Sequence, residues 1–117
     1  MATNYEAVRA LVWTRCKGYC ERCGNRLLEE NWALHHRKLR SRGGEDTADN
    51  LVALHHECHN LASYSVHYNP AYAKETGFMV SSWDEPSACP LTLANGDIVT
   101  LTKEGTYHYL ERKANGW

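Results

Sequence analysis

Cys20, Cys23, His35, His36, His55, His56, Cys58 and His59 put three cysteines and five histidines between positions 20 and 59. A tetrahedral zinc ion takes four such side chains. One filled site leaves about half of the set over, mostly imidazoles in adjacent pairs, which points to a catalytic centre rather than a zinc staple alone. Cys20-x-x-Cys23 and His55-x-x-Cys58 are ligand pairs with knuckle spacing, able to close one structural zinc site of three thiolates and one imidazole. His56 or His59 could stand in for His55. The simpler alternative, buried apolar cysteines, fits this spacing poorly. Cys16 and Cys89 have no partner at knuckle spacing and read as packing residues.

These side chains need short elements to position them. Thr3 to Lys17 reads as a helix: Thr3 and Glu6 have capping-box spacing, Tyr5, Val8, Leu11 and Val12 recur at helical intervals, and Gly18 ends it. Cys20 to Gly24 follows as the knuckle, and Gly24 allows the positive φ of such a turn. Trp32 to His36 reads as a strand, whose alternation points His35 and His36 to opposite faces. Arg37 to Asn50 is a polar loop, basic and then acidic, with Gly43-Gly44 as a turn signal. Leu51 to Leu54 reads as a buried strand, Glu57 to about Tyr68 as a helix ending before Pro70, and Pro70 to Thr76 as a short helix with Gly77 past its end. Asn95-Gly96 between Leu91–Leu93 and Ile98–Leu101 signals a hairpin, and Thr106 to Leu110 adds a third strand. The expectation is α+β: a chemical unit over residues 1–69 and a short helix with a β-rich appendage over 70–117.

With 117 residues, the chain suits one compact domain whose modest core gains from a structural metal. The cysteine pattern fits metal binding in a reducing compartment better than a disulfide framework. The start lacks the form of a signal peptide and no apolar run is long enough to span a membrane, so a cytoplasmic protein is expected. The net charge of -1 hides an asymmetry: residues 9–42 carry a net +6 and residues 43–117 a net -6. A basic half beside ligand-rich histidines suits a phosphate backbone, although such charge is also ordinary solvated surface. Arg37, Lys38, Arg40 and Arg42, directly after the paired histidines, and Arg15, before the knuckle, are the expected phosphate contacts, which position without reading sequence. Trp13, Trp32, Trp83 and Trp117 read as packing residues, with Trp83 a surface candidate. His67 and His108 lie outside the motif and read as ordinary.

Taken in order, Cys20-x-x-Cys23, Leu34-His35-His36, Gly43-Gly44, Asn50 to Leu54 and Cys58-His59-Asn60 resemble the His-Asn-His (HNH) endonuclease family over roughly residues 15–65. The resemblance implies a small, zinc-stabilised ββα-metal (His-Me finger) domain. The family usually has Cys where this chain has His55, a change that keeps a ligand. It further implies His36 as the general base, His35 and His59 as ligands of one catalytic divalent cation (Mg²⁺, Mn²⁺ or Ni²⁺), and Asn50 as the central Asn, tethering the long loop. Some members, such as the colicin nucleases, carry a further His four residues after the position of His59. Ser63 stands there, so a two-ligand site is expected.

The chemistry agrees. Phosphodiester hydrolysis needs a base for water, a cation beside the phosphate and help for the leaving oxygen, and a neutral imidazole is a suitable base near pH 7. The activity implied is metal-dependent cleavage of double-stranded DNA to 5′-phosphate and 3′-hydroxyl ends, by a monomer or weak dimer. Residues 69–83 and the β tail are also similar to HNH proteins of actinobacterial phages, which implies DNA processing or packaging beside a terminase. The rival readings are a non-catalytic zinc-binding DNA adaptor, which has no need of the extra histidines, and a restriction-type nuclease selecting modified DNA.

Overall fold

The computed structural model describes residues 5–113. Thr3, half of the expected capping box, and Trp117 lie outside them. Helix α1 spans Tyr5–Cys16, and strands β1 (Ala33–His36) and β2 (Leu51–Leu54) pair antiparallel, with His35 opposite Val52 and His36 opposite Leu51. A single five-residue π-type turn, Glu57–Leu61, follows. Helix α2 (Pro70–Thr76) then leads to a second antiparallel sheet in the order β3 (Leu91–Thr92), β4 (Ile98–Leu101), β5 (Tyr107–Glu111). Among the described residues no helix is long and apolar enough to cross a membrane.

The α+β reading holds, with both expected strand pairs and the short helix in place. Gly77 closes α2 at φ 87°, in the left-handed region where a Cβ would also meet the Pro90 carbonyl oxygen at 2.1 Å. Two expectations are corrected. Leu11 is exposed, and the buried side of α1 runs through Val12, Arg15 and Cys16. The helix expected from Glu57 to Tyr68 stops after one turn, because the chain doubles back. The Val66 N–H bonds the Cys58 carbonyl (2.9 Å) and the His67 N–H the His59 carbonyl (3.2 Å), spans no α-helix contains.

One hydrophobic cluster takes in Val12, Trp32, all four residues of β2, and Phe78, Leu91, Val99 and Leu101 from the C-terminal segment. Two buried arginines lock it. Arg15 makes a two-pronged pair with Glu21 (both 2.9 Å) and donates to the carbonyls of Ala48 and Leu51. The same Glu21 carboxylate accepts the Ala53 N–H (2.8 Å) and the Tyr107 hydroxyl (2.5 Å), joining α1, the knuckle, β2 and β5. Arg37 is wholly buried and donates to four carbonyls: Gly77 (2.7 Å), Asp49 (2.9 Å), Pro86 (3.0 Å) and Cys89 (2.8 Å). Burial pushes its pKa down to about 10, so it stays cationic at neutral pH.

Removing Arg37 strips a charged donor from four main-chain carbonyls. Arg37→Met should cost more than about 3 kcal/mol of stability, or yield insoluble protein. Arg42→Ala, at an exposed position, should stay within about 0.5 kcal/mol. Urea unfolding of both variants checks the contrast.

Candidate metal centres and active site

Two ligand clusters flank the β-hairpin. In the first, Cys20, Cys23, His55 and Cys58 each offer one ligand atom, all within 4.8 Å of one another. A tetrahedral site with the usual Zn–S and Zn–N bonds needs ligand atoms about 3.5–3.8 Å apart, and Cys23 Sγ lies 3.3 Å from His55 Nδ1. His55 Nε2 faces the Arg26 carbonyl at 2.8 Å and must carry the proton, which leaves the Nδ1 lone pair facing the sulfurs. The Cys23 N–H donates to Cys20 Sγ at 3.4 Å, as knuckle amides support a thiolate. Contact with the Cys58 thiol draws the Cys20 pKa down to about 4, while Cys20 pushes that of Cys58 up. One proton is thus shared where a zinc ion fits. His55, not His56 or His59, completes this group.

The second cluster is His35, His59 and His67, again with ligand atoms within 4.8 Å. Their ring centroids are 5.0 Å (His35–His59), 5.3 Å (His35–His67) and 4.7 Å (His59–His67) apart. His35 comes from the buried face of β1, and His59 from the π-type turn, one residue after the sulfur ligand Cys58. The chain reversal beyond that turn carries His67 back beside His59, with the two Nε2 atoms 3.1 Å apart. His35 Nε2 lies 2.8 Å from the Phe78 carbonyl, so it is the donor and Nδ1 holds the lone pair. Burial lowers the His35 pKa to about 3. Burial and then the neighbouring His67 and His56 lower that of His59 to about 4. Two neutral imidazoles with their lone pairs unprotonated are in the state a divalent cation requires.

His67 reads from the sequence as ordinary, and a two-ligand site is expected there; the structure brings in this third imidazole. In a helix, a residue eight positions on lies about 12 Å away along the axis, so a helical reading of 57–68 separates the pair that the reversal unites.

His36, the next residue of β1, points away from His35. Its Nε2 lies 2.6 Å from Asp46 Oδ1, which also accepts from Arg40 at 2.9 Å. The His36 and then the Arg40 hydrogen bonds hold the Asp46 carboxyl below its usual range. Sequence reasoning does not single out Asp46; the change from basic to acidic character within the loop is the available signal. Asn50 is fully buried: its side-chain carbonyl accepts the Lys38 N–H (2.7 Å), and its amide donates to the carbonyls of Lys38 and Glu45 (3.0 Å each). It fastens both limbs of the loop behind His36.

Of the expected phosphate contacts, Arg40 and Arg42 are exposed and Lys38 is half-buried. Arg15 and Arg37 are corrected: both guanidiniums are buried and their donors are engaged by Glu21 and by main-chain carbonyls, so neither reaches a phosphate. Trp83, the surface candidate among the tryptophans, is 93 % exposed, whereas Trp13 and Trp32 stack on each other at 5.5 Å. Cys16 is buried and Cys89 half-buried, both free. His108 lies exposed on β5.

An antiparallel hairpin followed by a helical turn, braced by a Cys/His cluster and presenting a second cluster of imidazoles, defines a ββα-metal domain. Residues 20–64 match the HNH endonuclease family. Over 64 residues the chain is 42 % identical to the type IV methyl-directed restriction enzyme EcoKMcrA of Escherichia coli strain K12; the alignment takes in 50 % of this chain and 23 % of that enzyme. The chain therefore spans about a quarter of this relative's length. No solved structure gives a significant match.

The sulfur-rich cluster generates a direct expectation. Purified protein should carry about one tightly held zinc per chain, and Cys58→Ser should lose both the metal and the cooperative thermal transition. Elemental analysis beside circular dichroism melting reads both.

Proposed function

We propose that this domain hydrolyses phosphodiester bonds of double-stranded DNA, with His36 as general base and His35, His59 and His67 as the ligands of one divalent cation. The observation that carries the reading is the arrangement around β1: three imidazoles converge on one side, while the adjacent His36 is held by a carboxylate on the other. A bound cation would supply Lewis-acid stabilisation of the charged phosphate and the departing oxygen.

The chain's own residues perform the rest. Because His36 Nε2 faces the Asp46 carboxylate at 2.6 Å, Nε2 keeps the proton and Nδ1 is free to take one from water. Asp46 fixes the orientation and tautomer of the ring, as carboxylates do for catalytic imidazoles. The hydroxide attacks phosphorus, the P–O3′ bond breaks, and the 3′ oxygen takes a proton from solvent. The products are a 5′-phosphate and a 3′-hydroxyl. Asn50 holds the loop that carries Lys38, Arg40 and Arg42 toward the DNA backbone, and His55 completes the zinc site with Cys20, Cys23 and Cys58. Three imidazoles without a carboxylate suit Ni²⁺ better than Mg²⁺.

The restriction enzyme among the relatives favours a second biological setting, cleavage of modified DNA in host defence, over phage DNA packaging beside a terminase. Both settings use the same chemistry.

Supercoiled plasmid incubated with the protein and Mg²⁺, Mn²⁺, Ni²⁺ or EDTA tests the reading. Metal-dependent nicking is expected, strongest with Ni²⁺. Zinc-loaded His36→Ala should lose about 10²- to 10⁴-fold in rate. His67→Ala should raise the metal concentration needed by about tenfold or more. Asp46→Asn should lower the rate while leaving the metal requirement unchanged. DNA binding and zinc retention without cleavage in any metal would replace the nuclease with a DNA adaptor.

A further inference from the structure

Trp83 is 93 % exposed, more than any other large apolar side chain among the described residues. It also sits on a firmly built turn. The Ser81 hydroxyl accepts the Trp83 N–H (3.1 Å), and the Ser81 carbonyl accepts the Asp84 N–H (3.1 Å). Three residues earlier the Val80 N–H bonds the Arg37 carbonyl (2.9 Å), and two residues before that the Phe78 carbonyl holds His35. The indole is thus presented by a segment pinned at two points to the strand that carries His35 and His36. Three residues of chain reach at most about 11 Å, which bounds the distance from Trp83 to its anchor at Val80, beside Arg37.

Two exposed cations share a cleft with the indole. A cleft of about 280 Å³ lies between the loop after His36 and the Trp83 turn, and Leu39, Arg42, Lys74 and Trp83 are among its walls. The turn Arg40–Arg42 bridges the two sites, with Arg40 reaching Asp46 beside His36 and Arg42 lining the cleft with Trp83. Of the nearby acids, Glu85 lines a different cleft, with Lys38 and Glu45; Asp84 follows Trp83 directly and is exposed. An exposed indole flanked by cations suits a duplex, with the ring as an apolar wedge at a base step and neutralised phosphates on either side. The core of a protein interface is depleted of lysine, so Lys74 argues against a protein partner here.

We propose that Trp83, flanked by Arg42 and Lys74, is a DNA-contact element whose indole packs against the bases of a duplex lying along the loop that follows His36. This rests on the reading that the domain acts on DNA. It goes further in assigning a base contact, where the proposed roles of Lys38, Arg40 and Arg42 are toward the backbone.

The test uses zinc-loaded His36→Ala protein as the parent, to separate binding from cleavage. Its affinity for a fluorescein-labelled duplex is measured by anisotropy at several salt concentrations. Adding Trp83→Ala should weaken binding by about tenfold or more with the salt slope unchanged, and adding Trp83→Phe should restore most of it. Adding Arg42→Ala should instead lower the salt slope by about one. A 2-aminopurine placed near the site should change its fluorescence with the parent and not with Trp83→Ala. Equal duplex affinity of the parent and the Trp83→Ala variant overturns the proposal, and would leave a protein contact as the use of the indole. If the parent binds no duplex at all, the DNA reading itself fails and the proposal fails with it.

Discussion

A guanidinium with no access to water sits immediately behind the paired histidines, and much of the structure is arranged around it. Arg37 has no carboxylate within its hydrogen-bonding shell, and its charge is solvated by carbonyl oxygens of residues 49, 77, 86 and 89. Burying a cation is unfavourable unless its donors are met, so those four segments must converge on one point. Their convergence draws the C-terminal half across β1, which brings the Phe78 carbonyl to His35. The charge thus acts as a template: once it is buried, the surrounding backbone has few other places to go.

The two metal clusters are linked by sequence at their closest point. Cys58 belongs to one and His59 to the other, on a single π-type turn. The carbonyls of the same two residues accept the returning backbone at Val66 and His67. Order in the sulfur cluster therefore sets the pitch of the turn that presents His59 and the return that presents His67. In a chain this small, local stiffness of that kind replaces the deep core that would otherwise hold catalytic side chains in place.

Much of this is legible in the order and spacing of the residues. The ligand types admit few chemistries, and their spacings are local, so Cys20, Cys23 and Cys58 can be grouped from the chain alone, while the choice among His55, His56 and His59 as the fourth waits for the fold. Strand alternation places His35 and His36 on opposite faces, and Asn95-Gly96 announces its hairpin. What escapes is long-range. Arg15 and Arg37 look like surface charge because composition cannot reveal carbonyls up to 52 positions away. His67 looks remote because the apolar and polar residues after Cys58 fit a helix, and only the hydrogen bonds from residues 66 and 67 to 58 and 59 reverse that reading. Asp46 is one acid in a mixed loop until the fold sets it against His36. Trp83 stands apart from the other tryptophans, since its type argues for burial and its position does not.

The tautomer of His35 is set by a carbonyl that lies outside the stretch by which the family is recognised. That stretch ends at residue 64, while Phe78 and three of the four oxygens around Arg37 come later. The motif is consequently not a portable cassette. Moved into another scaffold, or joined to a different C-terminal segment, residues 20–64 would keep Cys20, Cys23, His35, His55, Cys58 and His59 but lose both His67 and the carbonyl that fixes the tautomer of His35. Changes confined to the tail of this chain therefore act on the first histidine, even where every residue of the matched stretch is untouched.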